Sequence, residues 1–257
     1  MSLENKNEED LPTDVSEEQV EMAQQVTPVL PLYSFILVVC LIGVFISQVF
    51  TDGIDSIMFG GRLSTSLAGF DKPLFNEGQY WRILTGATLH GGLSHLLFNC
   101  YALYTLGKLI EFLSNRAHLA NVFLLSALGG GILSLIFLPD GTSVGASGGV
   151  IGFLGYMTIY GFKRRKLLPE GFLKNMLINI GFIGFIGIFV LPNIDNFGHL
   201  GGLLVGIIYG FFQIPGDLTK DPRQIGATAD FFGIISMGVF VFTAILSILL
   251  ILEKVKF

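Results

Sequence analysis

Polar and apolar residues alternate in long blocks along this chain, not with the short period of a strand. Seven apolar stretches stand out, at about 31–50, 90–112, 118–138, 147–162, 172–191, 197–213 and 231–252. Most approach the ~20 residues that an α-helix needs to cross a hydrocarbon core of ~30 Å. The fourth is the exception. Its roughly sixteen residues rise only ~24 Å as a helix, so it should begin recessed from one surface, with the loop 139–146 dipping in to meet it. Irregular backbone at that depth is tolerated only under a cover of protein or beside a water-filled cavity. The pattern therefore predicts an all-α, polytopic membrane helix bundle of seven spans.

Three of these stretches are interrupted by polar groups near their starts. His90, His95 and Asn99 open the second, Ser147 the fourth and His199 the sixth. Lys and Arg in the connections set the orientation. Arg116, then Lys163-Arg164-Arg165-Lys166 with Lys174, then Lys220 and Arg223 follow the even-numbered spans. Arg62, Lys72 and Arg82 are the basic residues after the odd-numbered ones. The positive-inside rule then predicts a cytoplasmic N-terminus and an outside C-terminus in a multi-pass protein of the cell membrane. Spans two, four and six would all run inward from the outer face, so the three polar motifs share one depth.

Composition agrees with the membrane class. Of 257 residues, 51% are hydrophobic and 14% charged, where a soluble domain holds nearer a quarter charged. The mean hydropathy is +0.67. The net charge of −5 comes from an acidic first thirty residues, too poor in apolar side chains to fold alone beyond a short helix near 16–25. This gives three regions: a flexible cytoplasmic tail over 1–30, a six-helix core over 31–214, and a linker with a seventh helix over 215–257. Cys40 and Cys100 fall within apolar spans and read as small hydrophobes, not as a disulfide or metal pair.

A hydroxyl and imidazoles inside a bilayer are costly and usually functional. Ser147 as nucleophile and His199 as general base, with His95 and Asn99 as donors to an oxyanion, would make an acyl-transfer site. His95 and Asn99 are four apart and share a helix face. His90, about 140° away around an ideal helix of ~3.6 residues per turn, suits a supporting role. Gly198, Gly202, Gly206 and Gly210 recur every fourth residue, and Gly148 and Gly152 do the same in the fourth span. Such stripes let helices approach closely. Each feature has a plainer alternative: Ser147 as a helix cap, the glycines as packing alone, and His95 and Asn99 as interhelical hydrogen bonds. Asp195 falls in the loop before His199, so a Ser-His pair is expected in place of a triad. No cofactor, metal or nucleic-acid partner is expected.

Taken in order, Tyr80-Trp81-Arg82, His90-x4-His95-x3-Asn99, Gly107-x3-Glu111, Gly145-Ala146-Ser147-Gly148 and His199-x2-Gly202-x3-Gly206 resemble the motifs of the rhomboid intramembrane serine proteases. The resemblance implies a six-helix core, here with one added C-terminal helix. It implies a dyad of Ser147 and His199, and an oxyanion site from the Ser147 N–H, His95 and Asn99. Supporting places fall to His90, Trp81, Arg82, Gly145, Gly148, Gly202 and Gly206, with Trp81 and Arg82 in a half-embedded outer loop. Single-span membrane proteins are the implied substrates, cut in or near their helices and entering beside the fifth span. Some members carry Tyr four residues after the nucleophile, stacked on the base. Ile151 stands there in this chain. A catalytically inactive relative that binds membrane-protein clients is the main alternative, and a transporter the lesser one.

Overall fold

The apolar runs fold as helices in the computed structural model, which describes residues 30–190, 194–224 and 226–254. The acidic tail and its suggested helix lie outside these residues. The long helices are α1 Leu32–Asp52, α6 Leu93–Leu113, α7 Arg116–Phe137, α8 Ser147–Lys163, α9 Phe172–Phe185, α10 Asn196–Gln213 and α11 Ala227–Ile251. Between α1 and α6 come the short α2 Ser56–Phe59, α3 Arg62–Ala68, α4 Lys72–Asn76 and α5 Arg82–Thr85. Among the described residues, five segments are long and apolar enough to cross a membrane: α1, α6, α7, α11, and α9 with its π-helical end Ile186–Val190. The other two are shorter or interrupted by polar groups: α8 has 17 residues, and α10 includes Asn196, His199 and Gln213.

One boundary departs from expectation. The second apolar run begins at His90, but its helix begins at Leu93. Gly92 has φ +114°, a conformation that ends helical backbone and suits glycine alone. His90 therefore lies in the connection before α6.

α8 is the centre of the bundle. Phe153, Tyr156 and Met157 of α8 are wholly buried, and this helix packs against α6, α7, α9 and α10. A helix that is apolar on every side belongs inside. α11 lies against α1 and α7. Ser236 donates to Asn121 at 2.8 Å, and Thr88 donates to Ser247 at 2.8 Å, so hydrogen bonds as well as apolar contact hold the last helix. At the opposite end of α6, Glu111 accepts the Ser34 N–H and hydroxyl at 2.8 and 2.6 Å. It thus satisfies a backbone donor in the first turn of α1, where no helical carbonyl is available.

The loop before α8 is covered by other parts of the chain. Its two-residue strand β2 Thr142–Ser143 pairs antiparallel with β1 Phe70–Asp71, and the Gly145 N–H donates to the Gly86 carbonyl at 2.9 Å. The chain between α1 and α6 thereby supplies the protein cover that irregular backbone requires away from water.

Glycines bring α8 and α10 together, as the spacing predicts, but in a sharper form. A Cβ at Gly202 would collide with the Gly148 carbonyl oxygen, and one at Gly206 with that of Gly152. Gly198 and Gly210 do not meet α8 glycines in this way. A Cβ at Gly198 would instead meet Asp195, and one at Gly210 would meet Ile159 and Tyr156. Gly206→Ala should therefore cost ~1–3 kcal/mol through overpacking against backbone. Gly238, with nothing within 4 Å of its Cβ position, should accept Ala without loss. Thermal unfolding of the purified protein in detergent measures both.

Candidate active site

The contact between α8 and α10 sets two side chains against each other. His199 Nε2 lies 2.8 Å from Ser147 Oγ. Ser147 is the first residue of α8, behind Ala146 at the cap position, and makes no capping bond. The helix-cap reading of this serine is thereby removed, and its hydroxyl is engaged with the imidazole. His199 stands in the first turn of α10. Its N–H donates to the Asp195 carbonyl at 3.0 Å, and the Asp195 side chain caps the helix by accepting the Gly198 N–H at 2.7 Å. Asp195 is thus the half-buried cap at the end of the connection before α10.

His95 reaches the same place from α6. Its Nδ1 accepts the Gly91 N–H at 3.2 Å, which leaves Nε2 as the protonated donor of the neutral ring. That edge faces Gly145. A Cβ on Gly145 would sit 2.7 Å from His95 Cε1 and 2.9 Å from Nε2, and Gly145 also has φ +128°. Only glycine satisfies both conditions, two residues before Ser147. Asn99 is buried on α6 and donates to the His95 carbonyl at 2.9 Å, one turn back. That hydrogen bond lies within its own helix.

His90 is fully buried and packs edge-on against His95, with ring centroids 5.1 Å apart. Gln48 of α1 holds it, accepting the His90 N–H at 3.0 Å and donating to its carbonyl at 3.1 Å. Gln48 was not singled out from the sequence, although an amide inside an apolar span is the signal that would have found it. Trp81 precedes α5 and packs beside Leu89 and Val44. Arg82 is buried and reaches three acceptors: Gln79 Oε1 at 2.6 Å and the carbonyls of Gly69 and Ser66 at 2.9 and 3.1 Å. It ties the segment between α1 and α6 to itself and does not reach Ser147.

Ser147 and His199 border a cavity of about 50 Å³, together with Phe70, Ile83, Ser143 and Asp195. That is room for a water molecule among polar partners. A larger cavity, about 370 Å³, lies at the far end of α8 beside Tyr160, Arg164 and Lys220. It is some ~25 Å from Ser147 by helix rise and pairs no nucleophile with a base.

A family model described as the Rhomboid domain matches residues 77–216, just over half of the chain, which includes His95, Asn99, Ser147 and His199. The chain belongs to the rhomboid family. It is 35% identical over 155 residues to the rhomboid protease GluP of Bacillus subtilis (strain 168), covering 57% of this chain and 29% of that protein. It is 36% identical over 151 residues to RHOMBOID-like protein 6, mitochondrial, of Arabidopsis thaliana, covering 56% and 47%. RHOMBOID-like protein 2 of the same plant is 36% identical over 148 residues, covering 54% and 44%. The matches span less than half the length of these relatives. With its long apolar helices, this rhomboid chain is an integral membrane protein.

Arg82→Ala should lower the melting temperature and expose the segment 53–92 to protease. Breaking a buried, multiply bonded charge of this kind costs about 2–4 kcal/mol. Arg82→Lys should restore little, because an ammonium cannot reproduce the fork. Limited proteolysis with mass spectrometry reads the result.

Proposed function

We propose that this rhomboid is an intramembrane serine endopeptidase that hydrolyses peptide bonds in or near the helices of single-span membrane proteins. The observation that carries the reading is the 2.8 Å contact between Ser147 Oγ and His199 Nε2. A serine hydroxyl is a weak nucleophile until a base accepts its proton. As Oγ attacks the substrate carbonyl, His199 Nε2 takes that proton. The new oxyanion is held by the free Ser147 N–H at the positive start of α8, by His95 Nε2–H and by Asn99. Collapse breaks the C–N bond, and His199 returns the proton to the leaving amine. Water, activated by the same imidazole, then releases the acyl group from Ser147.

The seven long helices are taken as seven spans, six forming the core over 31–214 and the seventh added after it. The N-terminus is assigned to the cytoplasm and the C-terminus to the outside of the cell membrane. Lateral entry of substrate beside α9 is supported by its loose packing, since Met176 is the one buried side chain of that helix. A purely client-holding role would leave the Ser147–His199 pair without a use.

Ser147→Ala should abolish cleavage of a reporter transmembrane helix and labelling by a fluorophosphonate probe, with the folded protein retained. His199→Ala should do the same, and unchanged cleavage in either variant overturns the reading. Asn99→Ala should lose roughly tenfold or more in kcat, as expected for one oxyanion donor among several.

A further inference from the structure

Behind the pair lies a polar cluster that the proposed chemistry does not use. Asp195 Oδ2 accepts the hydroxyls of Ser134, from α7, and of Ser143, from β2, the latter at 2.6 Å. Its Oδ1 accepts the Gly198 N–H at 2.7 Å. Ser143 in turn accepts from Lys72 Nζ at 2.5 Å, and Lys72 is 1% exposed. The order is ammonium, hydroxyl, carboxylate, a chain in which each bond polarises the next. Burial by itself raises the Asp195 pKa. The two serine hydroxyls, the Gly198 N–H and the Lys72 charge outweigh it and hold the carboxyl below the usual range. Burial likewise lowers Lys72, against the pull of Asp195 and Asp71.

The donors to this carboxylate are Ser134, Ser143 and the Gly198 N–H, whereas the hydrogen bond of the His199 ring goes to Ser147, so the arrangement is not a hydrogen-bonded triad. Asp195 nevertheless borders the same cavity as Ser147 and His199, and Lys72 does not. Of the residues around that cavity, Asp195 and His199 are the two that can carry charge. The other groups facing His199 are the Ser147 hydroxyl from α8 and, across Gly145, the His95 ring from α6, with His90 behind it. Ile151, one turn beyond Ser147, offers neither charge nor an aromatic face.

We infer that Asp195 is a positioning residue for His199. It fixes the first turn of α10, from which the imidazole projects, and it sets a permanent negative charge beside the ring where positive charge develops during proton transfer. Lys72 and Ser143 hold that carboxylate in place, which couples the segment between α1 and α6 to the base. The inference rests on the Ser147–His199 reading.

The test compares Asp195→Asn and Asp195→Ser with the parent in detergent, using the reporter helix. Both replacements are good helix caps without charge. The expected result is a fall of about tenfold in kcat with KM little changed, equal to about one pKa unit of lost imidazolium stabilisation. The acid limb of the kcat/KM profile should move to lower pH by about the same unit, because a neutral cap no longer favours the protonated ring. Lys72→Met keeps the cap and removes the cation, so its limb should move to higher pH. Limbs within about 0.2 unit of the parent in these variants overturn the inference, since loss of capping alone would not move them. Ser147→Ala, run in parallel, separates the two ideas. Residual cleavage there defeats the serine reading itself, whereas an inert Ser147→Ala beside a parent-like Asp195→Asn defeats only the role of Asp195.

Discussion

Everything at the site depends on two helix backbones touching. Gly148 and Gly152 of α8 present their carbonyls where Gly202 and Gly206 of α10 have no side chains. Any Cβ there would force the helices apart, and a shift of about 1 Å is enough to disable a reacting pair. In a bilayer no hydrophobic effect draws helices together, so close fit and hydrogen bonds must do so. The glycines therefore matter beyond the packing, because their close approach sets Ser147 2.8 Å from His199.

A second constraint runs through the rest of the fold. Polar groups removed from water are costly without partners, and several here find them between elements far apart in sequence. Glu111 closes the start of α1, Gln48 clasps the backbone of His90, and Asn121 accepts from Ser236 of the last helix. Arg82 gathers the carbonyls of Ser66 and Gly69. Each such bond has the directionality that lipid-facing leucines lack, so these few contacts fix how the helices are rotated against one another. Around the site they converge. β1 and β2, Lys72, Ser143 and Asp195 connect the segment before α6 to the residues that immediately precede Ser147 and His199.

Much of this was legible in the chain itself, and what was missed follows a pattern. The helices could be read because apolar runs of this length have few other solutions, and Ser147, His199 and His95 could be read because polar groups are expensive there. The paired strands could not, since two residues carry no periodicity. Lys72 reads as a loop cation and is buried. Asp195 reads as a loop acid and is a cap with three donors. His90 reads as the start of a helix, but Gly92 holds it outside. In each case the deciding partner lies dozens of residues away or in a turn whose conformation no spacing reveals.

The sequence by itself determined a helical membrane protein, the elements that bear Ser147, His199, His95 and Asn99, and the glycine faces able to meet. These follow from local composition and period, which act through the solvent each segment prefers. Only the tertiary structure decided that the serine is bonded to the histidine instead of capping its helix, that His95 turns its protonated edge toward Gly145, and that Ser143 links a buried lysine to the aspartate before His199. Such outcomes depend on distances between separate elements. A hydrogen bond exists or fails within a few tenths of an ångström, and no pattern along one chain encodes that separation.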